Sequence, residues 1–413
     1  MFEIKACEVR KCGVPTTRDE QFSDKHNADI GHYGQTQSNV SNIMEHFKGY
    51  RSKELCDAVI RQIHLTAHQP FCFMEVCGGH TMAIRKFGIP SLLPPNIRLL
   101  SGPGCPVCVT SRLFIDQAIH LARQPHTIIC TYGDLIRVPG SDSNLEKTRA
   151  EGCQVKVVFS SLHALQIAVG NPSENIIFLA IGFETTAPAT AAAIIKATQL
   201  NVKNFFVLSA HKVMPPAMEA IIEEGIPING YICPGHVSAI TGTSIYEKLV
   251  EKHHVACVVS GFEPLDLLQS LLMLIRQITS NKPKAEIQYS RAVRPEGNPK
   301  ALALLHDVFV PVDDWWRGLG ILKNSGLKPG HLYRHFDASE AFELPEHTTE
   351  EPKACLCGNV LKGINQPKDC SLFAKACTPE YPIGSCMVSS EGACQTYYYY
   401  KPSHDNTIHT YDS

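Results

Sequence analysis

From residue 71 to residue 259 the chain repeats one unit: a short apolar run, a turn rich in glycine and proline, then a segment with helical spacing. The runs are 71–76 (FCFMEV), 97–100 (IRLL), 127–131 (TIICT), 155–159 (VKVVF), 176–181 (IIFLAI), 204–209 (NFFVLS), 229–232 (NGYI) and 255–259 (VACVV). They have strand length, and strand–turn–helix repetition predicts parallel pairing, because parallel neighbours need a crossover between them. Eight strands could fill one barrel or two smaller open sheets. Two sheets are expected, divided near 160–170, where Gly170-Asn171-Pro172-Ser173 reads as a linker. The fold class is therefore α/β: two open parallel-sheet domains, 41–165 and 166–285, facing a cleft, with a third region over 286–413 that carries few strand signals. Residues 1–40 are polar and aperiodic and read as a poorly ordered extension, in which Cys7 and Cys12 are unpaired thiols rather than ligands. Ile43, Phe47, Leu55, Val59 and Ile63 predict a helix over 42–66.

Charge excludes one class of function. Lys+Arg 38 against Asp+Glu 40 leaves no basic excess for a nucleic-acid backbone. No apolar run approaches the ~18–20 residues that span a bilayer, and the N-terminal segment has no apolar leader. A cytoplasmic protein without membrane association is expected. Against that background 17 cysteines stand out. A reducing compartment argues for metal binding or redox chemistry over a disulfide framework.

Nearly every conspicuous motif follows a predicted strand. These are Cys77-Gly78-Gly79-His80-Thr81, Gly102-Pro103-Gly104-Cys105-Pro106-Val107-Cys108, Tyr132-Gly133-Asp134, Gly182-Phe183-Glu184-Thr185-Thr186, Ser209-Ala210-His211-Lys212, Pro234-Gly235-His236 and Gly261-Phe262-Glu263. The carboxyl ends of parallel strands form the ligand crevice, so two facing domains would gather these turns into one cleft. Cys77 begins a helix, where the dipole is expected to lower its pKa, and His80 could share its side. A soft-metal or nucleophile site and a buried structural cysteine are both open. Cys105 and Cys108 form a CxxC, read as a redox dithiol, with half of a zinc site as the alternative. His211 and His236 sit at strand ends, and Glu184 and Glu263 serve equally as cleft acids or helix caps. Cys56, Cys72, Cys130, Cys153, Cys233 and Cys257 read as core residues.

Six cysteines crowd the tail: Cys355, Cys357, Cys370, Cys377, Cys386 and Cys394. The paired C-x2–4-C spacings of zinc sites are missing, which favours a four-thiolate iron–sulfur cluster with two thiols to spare. Neither a phosphate-binding P-loop nor a dinucleotide fingerprint is present.

CGGHT at 77–81, GPGCPVCV at 102–109, TYGD at 131–134 with RVPGS at 137–141, AIGFETTAP at 180–188, PGHVSAI at 234–240, GFEPLD at 261–266 and the six-cysteine string together resemble the HypD family of [NiFe]-hydrogenase maturation factors over roughly residues 42–400. The resemblance implies a scaffold with redox chemistry rather than a conventional turnover enzyme. Such proteins pair with a HypC-type small chaperone and hold an iron while it acquires two cyanides and one carbon monoxide, the cyanide coming from a HypE-type protein. It implies that Cys77 ligates that iron, with His80 beside it, and that Cys105 and Cys108 are a redox dithiol. It assigns Cys355, Cys370, Cys377 and Cys386 to a [4Fe–4S] cluster in a C-terminal iron–sulfur domain, and Cys357 and Cys394 to a neighbouring thiol pair, as in ferredoxin:thioredoxin reductase. Glu184, His211 and His236 complete the candidate site. The rival readings are an iron–sulfur thiol–disulfide oxidoreductase and a zinc-stabilised binding module.

Overall fold

The computed structural model describes residues 49–346 and 351–400. The extension, Cys7, Cys12 and the first part of the 42–66 helix lie outside the described residues. From Tyr50 onward the chain forms one compact unit. Its strands are β1 (Phe71–Glu75), β2 (Ile97–Ser101), β3 (Thr127–Thr131), β4 (Gln154–Val157), β5 (Asn175–Gly182), β6 (Phe205–Lys212), β7 (Gly230–Pro234), β8 (Ala256–Ser260), β9 (Ala285–Ile287), β10 (Phe309–Trp316) and β11 (Gly320–Pro329). All eight runs read from the sequence are strands.

The strands build two sheets, in the orders β2-β1-β7-β8-β9 and β10-β11-β6-β5-β3-β4. The first is parallel throughout. The second is parallel from β6 to β4 and antiparallel at the β10–β11 hairpin and its junction with β6.

This order corrects the expected domain boundaries. The chain starts the first sheet with β1 and β2, builds four strands of the second, returns for β7 to β9, and finishes the second with the hairpin. No cut at 165 separates the sheets. Gly170 to Ser173 joins the helix Ser161–Gly170 to β5 inside the second sheet. Nor is 286–413 a domain apart: β10 and β11 complete the second sheet, and the cysteine-rich tail packs into the same core through Cys357, Leu361, Cys386 and Val388.

Burial explains why the strands read as unbroken apolar runs. In β1, Phe71 and Phe73 enter one core with the helices Lys53–Thr66 and Pro264–Thr279, while Cys72 and Met74 enter the core shared by both sheets. β5 divides likewise: Ile176, Phe178 and Ala180 face the helices Ser161–Gly170 and Ala187–Gln199, and Ile177, Leu179 and Ile181 face the shared core. Both faces of these central strands are covered, as parallel sheets require. Each fully buried Phe or Ile contributes about 1.5–3 kcal/mol. Among the described residues no helix is long and apolar enough to cross a membrane.

Candidate functional site

The turns after β1, β2, β3, β5 and β7 converge on a cleft of about 320 Å³, whose lining includes Cys77, Asp134, Thr185, His236 and Glu391. Cys77 is the N-cap of the helix Gly78–Lys86. The 102–104 turn clasps it from below. Gly78 N–H donates to the Gly104 carbonyl at 3.0 Å, and Gly102 N–H to the Glu75 carbonyl at 2.8 Å. A Cβ on Gly104 would lie 2.1 Å from the Cys77 nitrogen, so only glycine permits this approach.

Beneath the loop is Glu75, fully enclosed at the end of β1. Its carboxylate accepts from Cys77 N–H at 3.0 Å and from the Thr81 hydroxyl at 2.5 Å. Burial pushes its carboxyl up to about 8 despite those bonds. Cys77 departs from expectation. The N–H groups of His80 and Gly79 do favour its thiolate, but burial outweighs them, aided by the charges of Glu391 and Glu75, and the thiol is pushed up to about 12. Without a metal Cys77 is a protonated thiol.

The predicted residues are not all gathered together. His236 lines the cleft, lying on Phe262 with ring centroids 4.0 Å apart. His80 packs on Phe262 at 4.6 Å, buried beside the cleft rather than in its lining. Its Nε2 faces the carbonyls of Ser260 and Gly261 at 3.2 and 3.1 Å and must carry the proton, which leaves Nδ1 a bare acceptor without a partner. Burial lowers its pKa to about 4. His211 is not at the cleft: it lies within β6, fully buried, with Nε2 3.0 Å from the Thr190 hydroxyl. Glu184 also turns away. Its Oε1 accepts from the N–H of Met214, the first residue of the helix Met214–Glu223, while Oε2 is buried without a partner. Burial raises its pKa to about 7. Glu263 forms an ion pair with Arg51 and lies outside the cleft.

Cys105 and Cys108 are joined as a disulfide, with Cα atoms 5.2 Å apart. Their turn is tied to the tail. The Cys108 carbonyl accepts from Arg317 Nε at 2.8 Å and from the Ser385 hydroxyl at 3.1 Å. In the tail the structure corrects the partition of the six cysteines. Cys357 is paired with Cys386, not with Cys394. The loop that follows Cys377 brings Cys386 back onto the short helix that begins at Cys357, and spacing alone does not reveal that return. The unpaired thiols are Cys355, Cys370, Cys377 and Cys394, and all four line one small cavity with Leu372, Phe373 and Met387. They lie close enough that the charges of Cys355, Cys377 and Cys370 add to burial in raising the Cys394 thiol.

Four convergent thiols in an apolar wall suit an iron–sulfur cluster. A single zinc ion, with Zn–S near ~2.3 Å, would draw four sulfurs to within about 4 Å of one another. Among the described residues the only three or more such donor groups within 4.8 Å of one another are Glu219, Glu223 and His253, so the tail sulfurs stand wider than a single-ion site. Lys252 already bridges Glu219 and Glu223, at 2.7 and 2.8 Å.

Two acids beside Cys77 escape the sequence reading: Glu75 beneath the loop and Glu391 in the cleft wall. Glu75 is the single charge in an otherwise apolar strand run, which is a usable signal. Glu391 announces itself only by lying between two of the tail cysteines.

The sequence model of the HypD family, described as the hydrogenase formation hypA family, matches residues 54–401. The hydrogenase maturation factor HypD2 of Bradyrhizobium diazoefficiens is 44% identical over 86% of this chain and 97% of its own length. HypD of Azotobacter vinelandii is 47% identical over 79% of this chain and 88% of its own. HypD of Cupriavidus necator is 43% identical over 86% and 97%. A family match over residues 54–401, a range that includes the cleft and the cysteine-rich tail, together with relatives matched along nearly their whole length, places this chain in the HypD family.

Proposed function

We propose that this hydrogenase maturation factor holds an iron ion at Cys77 while the metal acquires cyanide and carbonyl ligands. The observation that carries the reading is the character of the cleft. Its lining offers one thiol, Cys77, with the acids Asp134 and Glu391 and the imidazole of His236, and no lysine or arginine. Such a lining suits a cation. A thiolate is the soft donor that iron carrying cyanide and carbonyl prefers. Because burial keeps Cys77 protonated, loading the iron must expel that proton, so the metal supplies the positive charge the site lacks. Glu75 holds the Cys77 backbone, and the 102–104 turn keeps the thiol at the mouth of the helix. A HypC-type chaperone would bring the second thiolate, and a HypE-type protein the cyanide.

Cys355, Cys370, Cys377 and Cys394 would hold a [4Fe–4S] cluster, whose contribution is one-electron transfer. The disulfide-linked pairs Cys105–Cys108 and Cys357–Cys386 lie between that cavity and the Cys77 loop in contact order, tied through Ser385. A thiol–disulfide oxidoreductase would need a disulfide open to a protein substrate, but Cys105 and Cys108 are only 2% and 0% exposed.

The deciding experiment uses anaerobically purified protein with its small chaperone. Infrared bands of bound cyanide and carbonyl are expected for the parent protein. They should vanish in Cys77→Ser, with the thermal transition and the absorbance of the tail unchanged. Persistence of the bands in that variant would make Cys77 a packing residue.

A further inference from the structure

The tail touches the helix that carries Cys77 at both of its ends. At the start, a Cβ on Gly78 would fall 2.4 Å from Glu391 Cβ and 2.7 Å from its carbonyl oxygen, so the helix begins flush against the tail backbone. At the far end the Arg85 guanidinium lies 3.7 Å from the centre of the Tyr397 ring and donates to its hydroxyl. Tyr397 belongs to the helix Ala393–Tyr399, which also carries Cys394. Arg85 further faces the charge of Glu75, the group that holds Cys77 N–H. Neither Arg85 nor Tyr397 lines the cleft or the thiol cavity.

We propose that Arg85 and Tyr397 are positioning residues for Cys77: they clamp the helix Gly78–Lys86 onto the helix that carries Cys394, so that order in the cysteine-rich tail sets order in the Cys77 loop. Helices of nine and seven residues are too short to hold themselves. Their order comes from what they pack on, and here each packs on the other. A desolvated arginine on an aromatic face is among the stronger contacts available to such a pair. When the tail thiols are gathered by a bound group, the second helix is anchored at Cys394, and the first is anchored through it.

The first test needs no assumption about that bound group. In the full chain, alkylation of Cys77 by iodoacetamide is followed by peptide mass spectrometry, with Cys130 in the second sheet as an internal control. Tyr397→Leu and Arg85→Leu should each speed labelling of Cys77 about tenfold, as loss of about 1.4 kcal/mol of docking gives. Tyr397→Phe, which keeps the ring, should have a smaller effect. Labelling of Cys130 should not change. Unchanged Cys77 labelling in a folded variant, or a parallel rise at Cys130, overturns the clamp. The second test uses the unaltered protein and rests on the cluster reading. Amide exchange is compared before and after the tail iron is removed with a chelator, in protein prepared without the small chaperone so that no iron is held at Cys77. Residues 78–86 and 393–399 should lose protection together. Exposure of 393–399 while 78–86 stays protected overturns the proposal even if every variant fails to fold.

Discussion

Glu184 offers a quantitative test of the buried electrostatics. One of its oxygens accepts from Met214 N–H at 3.0 Å, the other has no partner, and burial raises the group from 4.5 to about 7. The folded protein therefore keeps this proton where the unfolded chain has lost it. Its contribution to stability is complete below about pH 4.5 and is lost as pH rises through about 7. The full shift is worth roughly 3 kcal/mol, of which roughly 2 kcal/mol is lost between about pH 5.5 and about pH 8. Glu184→Gln keeps a carbonyl oxygen for the Met214 N–H but carries no charge at any pH. Glu75, His80 and His211 titrate alike in both proteins, so their effects cancel in the difference. The assay is urea unfolding followed by tryptophan fluorescence. Trp316 is a suitable reporter, since its ring stacks on Phe183, beside Glu184, at 6.0 Å. From the lower pH to the higher, the variant should gain roughly 2 kcal/mol on the parent protein. A difference that stays constant across the range would refute the burial argument for this carboxyl.

Other substitutions separate the remaining assignments. Cys394→Ala should lose most bound iron and sulfide, whereas Cys386→Ala should keep both, since the structure leaves Cys394 free and pairs Cys386; metal analysis of anaerobic protein decides. Gly182→Ala should unfold the protein or cost about 3 kcal/mol or more, because φ is +137° and the new Cβ would lie 1.7 Å from the Thr186 hydroxyl; the urea midpoint shows it. Lys212 is only 2% exposed and bonded to Asp314, whose side chain is 30% exposed. Asp314→Ala should therefore cost about 3–5 kcal/mol by stranding a buried charge, and Lys212→Met clearly less, as thermal unfolding at neutral pH will show.

The sequence showed the strands of the central sheets because each is covered on both faces and reads as an apolar run. It hid β10 and β11. Their runs are broken by Asp313, Asp314, Lys323 and Asn324, and Pro311 sits in β10, as an antiparallel edge hairpin allows. Strand order was not legible at all. Local pattern says that Phe73 belongs in a strand, not that Gly230 is its neighbour. The site divides in the same way. Cys77 and His236 could be read because parallel strands deliver their carboxyl-terminal turns to one crevice. His211 could not be placed, because β6 continues past the point where its apolar run stops. The Cys357–Cys386 pairing depends on how a loop folds back in space.

The interleaved order of the sheets has a consequence during synthesis. β1 must wait for its central neighbour β7; the bond from Cys72 N–H to Asn229 spans 157 residues. At about 5–20 residues per second the ribosome needs about 8–30 s to cross that gap. For that interval one edge of β1 has no partner, and Phe71 and Phe73 lack the cover of the helix Pro264–Thr279. Such long-range contacts fold slowly and leave open edges prone to association. A nascent chain of this kind is a natural client for general folding chaperones until β7 emerges.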